Sequence, residues 1–257
     1  MGVNVYAQER YQAILDRTRA AGRVDVATLA TELDVTPETV RRDLTHLERR
    51  GLLRRVHGGA VRIERDGFEP GLDARQGRLA AQKKAIAQAA LAELPDGGSI
   101  ILDGGTTTYS LAEILPPDLE LSVVTHSVPI AALLAGRPNI TLHLVGGTIR
   151  GRTLAAVGVW AERSLADVRA DVAFVGVNGL TVEDGLTTPD MAEGVVKRAV
   201  IGAGKRIVVL ADHTKIGRTE LVRVVPVTAV DTLVTDSDLD PALVEEIETA
   251  GVQVVLA

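Results

Sequence analysis

The sequence predicts two domains of different class: a small N-terminal unit, mainly α with a β-wing, and a larger C-terminal α/β unit around a mainly parallel sheet. Three observations predict this. The first sixty residues hold apolar positions at helical spacing, then a Gly-Gly turn between two strand-like runs. From residue 99 onward, short apolar runs alternate with helical segments, as buried parallel strands and their covering helices do. Charge divides the same way: residues 1–65 carry 12 basic and 9 acidic side chains, residues 66–257 carry 16 and 25. The expected boundaries are 1–62 for the first domain, 63–77 for a linker and 78–257 for the second.

In the first domain, Tyr11 to Ala21 forms a helix through Ile14 and Leu15. Val26 to Leu33 places Leu29, Ala30 and Leu33 together, and Asp34-Val35 is a tight connector. Thr36 caps the next helix, and Pro37 suits its first position, where no backbone N–H bond is lost. Val40, Leu44 and Leu47 share a buried face. Thr39, Arg41, Arg42 and His46 face outward, with Thr36 and Glu38 at the helix start. Two short helices with this link are a helix-turn-helix, whose second helix enters a DNA groove. Gly51 ends that helix. Leu52 to Val56 and Ala60 to Ile63 flank the turn His57-Gly58-Gly59 and make a wing. From Arg41 to Arg62 there are seven arginines and two acids, whereas the whole chain holds 28 Lys+Arg against 34 Asp+Glu. A basic patch on an acidic protein marks a local phosphate-contacting face. The candidate DNA contacts are Thr36, Glu38, Thr39, Arg41, Arg42, His46, Arg54, Arg55, His57 and Gly58, and the expected partner is double-stranded DNA.

Composition narrows the rest. A chain of 257 residues without cysteine has no disulfide, thiol nucleophile or cysteine metal site. His57, His126, His143 and His213 show no zinc-like spacing, and neither a metal nor a cofactor is expected. No apolar signal segment opens the sequence, and no apolar run approaches the roughly 20 residues of a membrane span. A cytoplasmic protein is expected.

The linker 63–77 is charged, contains Gly67, Pro70 and Gly71, and shows no sustained period. A helix is expected from Arg78 to Leu94, stopped by Pro95-Asp96-Gly97-Gly98. Strands are expected at Ser99–Leu102, Leu121–Thr125, Thr141–Val145, Val172–Val175, Ile207–Leu210, Thr232–Thr235 and Val252–Leu256. Ligands of such sheets bind beyond the carboxyl ends of the strands, and nearly every strand here ends in small polar residues. The first runs into Asp103-Gly104-Gly105-Thr106-Thr107-Thr108, then a helix. Glycines, hydroxyls and unpaired helical N–H groups make this a phosphate cradle in chemical terms; the same loop also reads as a Gly-rich turn with threonine caps. Other strand ends are Thr125-His126, Gly146-Gly147, Gly176 with Asn178-Gly179, and Asp212 to Lys215. Lys197 and Lys215 are the candidates to neutralise an anion. A helix starting near Pro189 sets Glu193 and Lys197 at i, i+4, the spacing of an ordinary ion pair as well.

The linked motifs resemble the DeoR family of bacterial transcriptional regulators, from about Tyr6 to Ala257. The resemblance rests on Val40 to Leu44, Leu47, Gly51 and the wing Arg55 to Ala60. In the second domain it rests on Asp103 to Thr108, Gly146-Gly147, Asp171 to Gly176, Gly185 to Thr188, Lys197 to Ala199 and Ala211 to Lys215. It implies repression of sugar-catabolism operons, a phosphorylated sugar as effector, and a sensor domain similar to ribose-5-phosphate isomerase. Gly67 to Pro70 and Gly185 to Asp190 are most like actinobacterial fructose-operon regulators, which implies fructose 1-phosphate. One departure is His126, where the family commonly has asparagine; a pocket-facing imidazole there would alter sugar preference or add pH sensitivity. The competing reading is a sugar-phosphate isomerase-like enzyme with an appended DNA-binding domain, using Asp103, Asp171, Glu193 and Lys197 for acid–base chemistry. A homo-oligomer is expected, because regulators gain from two half-sites.

Overall fold

The computed structural model describes residues 7–49, 52–56, 58–61 and 71–257. Two compact units divide it, residues 1–68 and 69–257. Gly51, His57, the Arg54 side chain and linker residues 63–70 lie outside the described part.

The first unit runs α1 (Ala7–Ala21), β1 (Arg23–Asp25), α2 (Val26–Glu32), α3 (Pro37–Arg49), β2 (Arg54–Val56) and β3 (Gly59–Val61). Ile14, Leu29, Val40, Leu44, Leu47 and Leu53 fill its core, the stripe expected for α3 among them. Asp25 caps α2 by accepting from the Thr28 N–H at 2.8 Å. The wing has one strand more than the sequence predicts: β1 pairs antiparallel with β3, opposite β2. Gly59 is where this ladder needs a glycine, since a Cβ there would lie 2.0 Å from the Val24 carbonyl oxygen.

The second unit opens with α4 (Leu72–Gly77) and α5 (Ala80–Ala90), then β4 (Gly98–Leu102), α6 (Thr106–Glu113), β5 (Leu121–Thr125), α7 (Val128–Leu134) and β6 (Ile140–Leu144). The hairpin β7 (Thr148–Arg150) and β8 (Ala155–Val157) leads to α8 (Val159–Ala166) and β9 (Ala170–Gly176). Then come β10 (Gly179–Thr181), β11 (Gly185–Thr188), α9 (Met191–Ala203), β12 (Gly204–Leu210), β13 (Val222–Val225), β14 (Thr232–Thr235), α10 (Pro241–Thr249) and β15 (Gln253–Leu256). The seven expected strands form one sheet, parallel throughout, in the order β15-β14-β12-β9-β4-β5-β6. Alternation splits its side chains into two cores. Ile100, Leu102, Phe174, Val208 and Leu210 pack with α5, α6 and α7, while Ile101, Ala173, Val175, Ile207 and Val209 pack with α8 and α9. The sequence runs outward from β4 to β6, returns, and runs outward again from β9 to β15. The switch point, where ligand crevices form in open α/β sheets, therefore lies between β4 and β9.

Two expectations change. The helix expected at 78–94 is regular only over α5, with a 3-10 turn at Leu91–Glu93. The expected linker 63–77 ends in a helix, α4, too short to show a period.

Candidate DNA-binding and effector sites

The start of α3 is built as its sequence predicts. The Thr36 hydroxyl accepts from the Thr39 N–H at 3.2 Å, and the two threonine hydroxyls lie 2.9 Å apart. Glu38 in the first turn reaches Arg41 at 3.3 Å and Arg42 at 3.9 Å. Both arginine side chains are open, at 53% and 82% exposure, while Asp43 on the opposite side is buried and held by Arg10 at 2.9 Å. Thus one helix presents cations outward and anchors inward.

His46 corrects an expectation. Its ring stacks on Tyr11, with centroids 4.7 Å apart and planes 13° apart. Buried Asp43 and Leu47 flank it along the helix, which sets position 46 at the edge of the packed face. Arg55 carries a role that sequence does not reveal. Its backbone N–H donates to Glu48 at 2.8 Å and its guanidinium to the Thr45 hydroxyl at 3.0 Å, so the wing is tied to α3. Thr45, ten positions away, is absent from the sequence-derived set for that reason. Gly58 takes the left-handed conformation between the wing strands, φ 79°. Arg55→Ala is expected to loosen the wing, weaken operator and random duplex alike, and lower the salt slope by about 1. Anisotropy titrations on both duplexes check this; a loss confined to one base preference contradicts it.

At the sheet's switch point, Asp103 leaves β4 and is buried. Its carboxylate accepts from the Gly176 N–H at 2.9 Å, pairs with the Lys197 ammonium, and lies 2.9 Å from His126 Nε2. Burial pushes this carboxyl up, but Lys197 and His126 outweigh it and hold it well below the usual carboxylate range. Lys197 also donates to the Gly176 carbonyl at 2.7 Å. It is therefore committed inside the fold and not open to an anion, contrary to expectation. Glu193 does not pair with it either; it takes Arg150 at 3.2 Å and the Thr153 hydroxyl. His126 is likewise not pocket-facing. Its Nδ1 lies 2.9 Å from the Ala156 carbonyl, which can only accept, so Nδ1 carries a proton, and Nε2 is 3.0 Å from the Gly104 N–H.

Several other candidates make contacts within the fold. The Thr108 hydroxyl donates to the Asp103 and Gly105 carbonyls, and Thr125 to the Leu102 carbonyl at 2.7 Å. Gly179 lets the chain pass Arg218, whose carbonyl oxygen a Cβ would approach to 2.5 Å. Gly147 similarly packs beneath Val157, and Gly146 has open space beside it. Asn178 accepts from Thr188 at 3.3 Å. His213, Asp236 and Asp238 lie close together, but Asp236 accepts from the His213 N–H at 2.8 Å and faces its Nδ1 at 2.7 Å, as a turn cap does.

What stays open is the amino end of α6. Gly105, its N-cap, supplies no side-chain cap, and the hydroxyls of Thr106 and Thr107 have no partner among the described residues. A cavity of about 220 Å³ lies here, lined by Gly105, Thr106, Tyr109 and Ser127 and by Leu72 and Gln76 of α4. Cations gather beside α4. Lys83 of α5 is buried and donates to the Arg75 carbonyl and, at 2.6 Å, to the Arg78 carbonyl. Burial brings its ammonium down to about 8, with Asp212 opposing and Arg75 and Lys215 adding to the fall. Burial also lowers Lys215, against the attraction of Asp212. Asp212 itself caps its turn through Thr214 at 3.2 Å. Sequence reasoning missed Lys83, because a lysine inside an apolar helical stretch signals charge but not burial.

Residues 10–66 match the DeoR-like helix-turn-helix domain, and residues 79–237 the DeoR C terminal sensor domain. The HTH-type transcriptional regulator GlpR of Haloferax volcanii is 38% identical over 96% of either chain. The glycerol-3-phosphate regulon repressor of Escherichia coli is 28% identical, with 89% of this chain and 90% of the relative covered. A distant likeness is ribose 5-phosphate isomerase A from Methanocaldococcus jannaschii, at 19% identity and TM-score 0.39 over 52% of this chain and 53% of that one. Both domains, in order and along nearly the full length, are those of regulators and not of enzymes: the chain belongs to the DeoR family of transcriptional regulators.

Proposed function

We propose that this regulator represses a sugar-catabolic operon, a fructose operon of the actinobacterial kind, in the cytoplasm, and leaves its operator when a phosphorylated sugar such as fructose 1-phosphate binds. The observation that carries the effector class is the uncapped start of α6, with free Thr106 and Thr107 hydroxyls, at the cavity that Leu72 and Gln76 of α4 also line; the reading takes its cations from Lys83, which holds the Arg75 and Arg78 carbonyls at the end of α4, and from Lys215. Orphan helical N–H groups and buried cations favour a dianion over a neutral sugar. The E. coli relative is named for a glycerol phosphate regulon, which agrees with a phosphorylated ligand. The competing enzyme loses its acid–base pair, since Asp103 and Lys197 are spent on each other. We place the chain on DNA as a homo-oligomer, two copies reading two half-sites.

Calorimetry tests the ligand. Fructose 1-phosphate is expected to bind and free fructose not to; equal affinity removes phosphate recognition, and Lys215→Ala should weaken the phosphate alone. Titration of Lys83 adds a pH signature. A bound anion favours the ammonium, and the free protein gives up that proton as pH rises through about 8. Affinity is therefore steady between about pH 7 and 8, where the phosphate is already a dianion, and falls by up to tenfold per unit above that. A flat profile to pH 9.5 rejects Lys83 as a contact.

A further inference from the structure

His126 Nε2 faces two groups with opposite needs. It lies 3.0 Å from the Gly104 N–H, which can only donate, and 2.9 Å from Asp103 Oδ1. Burial opposes ionisation of Asp103, but the Lys197 ammonium keeps it ionised, so Oδ1 can only accept. A ring nitrogen presents either a lone pair or a proton, never both. Among the described residues, neither the Gly104 N–H nor Oδ1 has another partner; the Gly176 N–H and Lys197 both sit on Oδ2. One of the two is therefore left over, beside a ring only 4% exposed and a carboxylate 1% exposed. The proton on Nδ1 is committed to the Ala156 carbonyl and cannot help.

The contested N–H belongs to the cradle. Gly105 and Ser127, the residues that follow Gly104 and His126, line the cavity at the start of α6. Gly104 is itself partly exposed. The Asp103–Gly104 peptide has room to turn, because the Thr108 hydroxyl that holds the Asp103 carbonyl also has the Gly105 carbonyl at 3.0 Å.

We infer that His126 is the positioning residue of the effector cradle: a bound anion takes over the Gly104 N–H, and Nε2 then takes up a proton from solvent and donates it to Asp103. This rests on the effector reading above and adds one proton to the binding step. Without an anion, the neutral ring holds the Gly104 N–H inward. With one, all three groups are satisfied. The charged groups that meet the ring among the described residues are Asp103, from the end of β4, and through it Lys197 of α9; β8 and β9 contribute backbone only. A bound state that holds one more proton loses affinity as pH rises.

Nuclear magnetic resonance on the full chain with labelled histidine tests this at about pH 6.5, in the range where imidazoles change charge. Saturating fructose 1-phosphate should raise the share of His126 rings protonated on both nitrogens, at constant pH. His126→Gln identifies that ring among the five histidines. It also removes the switch, since a side-chain amide offers Gly104 an acceptor and Asp103 a donor at once, with no proton to gain. The ratio of wild-type to variant affinity, in which the titrations of the phosphate and of Lys83 cancel, should rise several-fold as pH falls from about 7 to about 6. A ring whose protonation the ligand leaves unchanged, or a level ratio, overturns the inference and leaves the effector reading standing. If no sugar phosphate binds, the effector reading falls, and the free protein still decides the role of His126. There the Gly104 amide shift should follow the ring as pH is lowered; an amide indifferent to it overturns the positioning role.

Discussion

Arg41→Ala and Arg42→Ala, singly, are each expected to abolish tight operator binding while both units stay folded. The two side chains leave the first turns of α3, the part of a recognition helix that reaches base edges. They are exposed and hold nothing in the core; that task falls to Val40, Leu44 and Leu47 with the Arg10–Asp43 pair. Alanine therefore removes contacts to DNA without opening a cavity. A lost bidentate base contact costs about 1–3 kcal/mol, or roughly 5- to 150-fold in affinity. Glu38 adds a second handle. It now orients both arginines, and a groove-facing carboxylate can also accept from a cytosine amine. Glu38→Ala should therefore relax sequence preference more than it lowers affinity. The operator, selected from random duplexes by the full chain, serves for titration at one fixed salt. Wild-type affinity in both arginine variants rejects α3 as the reading helix.

The contrast between these arginines and Lys197 marks where sequence stops informing. Arg41 and Arg42 are legible because helical spacing decides their face once Val40, Leu44 and Leu47 are assigned inward. Seven strands are legible for a similar reason: runs apolar on both faces have one destination, a covered parallel sheet. Lys197 also lies where its helix predicts. Its partner, however, is Asp103, 94 positions away, and no local pattern carries that pairing. His126 follows the same rule, since its ring lies between Asp103, just past β4, and Ala156 of β8, which only the folded chain brings together. Short elements fail differently. Six residues of α4 make under two turns, and three residues of β1 make one alternation, so neither has a period to read.

Saturating effector is expected to lower operator affinity about 5- to 150-fold, a coupling of about 1–3 kcal/mol. A ligand shifts DNA affinity only if it favours one arrangement of the chain over another, and α4 is the element able to report it. It begins at Leu72, three residues after the boundary between the units. Leu72 and Gln76 on it line the cavity. Its start is pinned by the Leu72 N–H donating to the Arg152 carbonyl at 3.1 Å, and its end by Lys83 on the carbonyls of Arg75 and Arg78. Leu79, between α4 and α5, is held in the left-handed region at φ 52°, a conformation that costs a non-glycine residue about 1–3 kcal/mol and persists only where its surroundings impose it. An anion seated against Leu72 and Gln76 is expected to shift α4 on its two tethers, a movement that the Leu79 strain favours. Lys83→Met removes the C-terminal tether of α4 without ligand, so operator affinity without effector should already fall toward the wild type's effector-bound value, and effector should change it little further. Operator titrations with and without fructose 1-phosphate, on wild type and Lys83→Met, decide the matter. An unchanged wild-type constant rejects this effector, the same result across other sugar phosphates rejects the switch, and tighter binding makes the ligand a co-repressor. Full wild-type coupling in Lys83→Met would leave the switch in place but remove Lys83 and α4 from it.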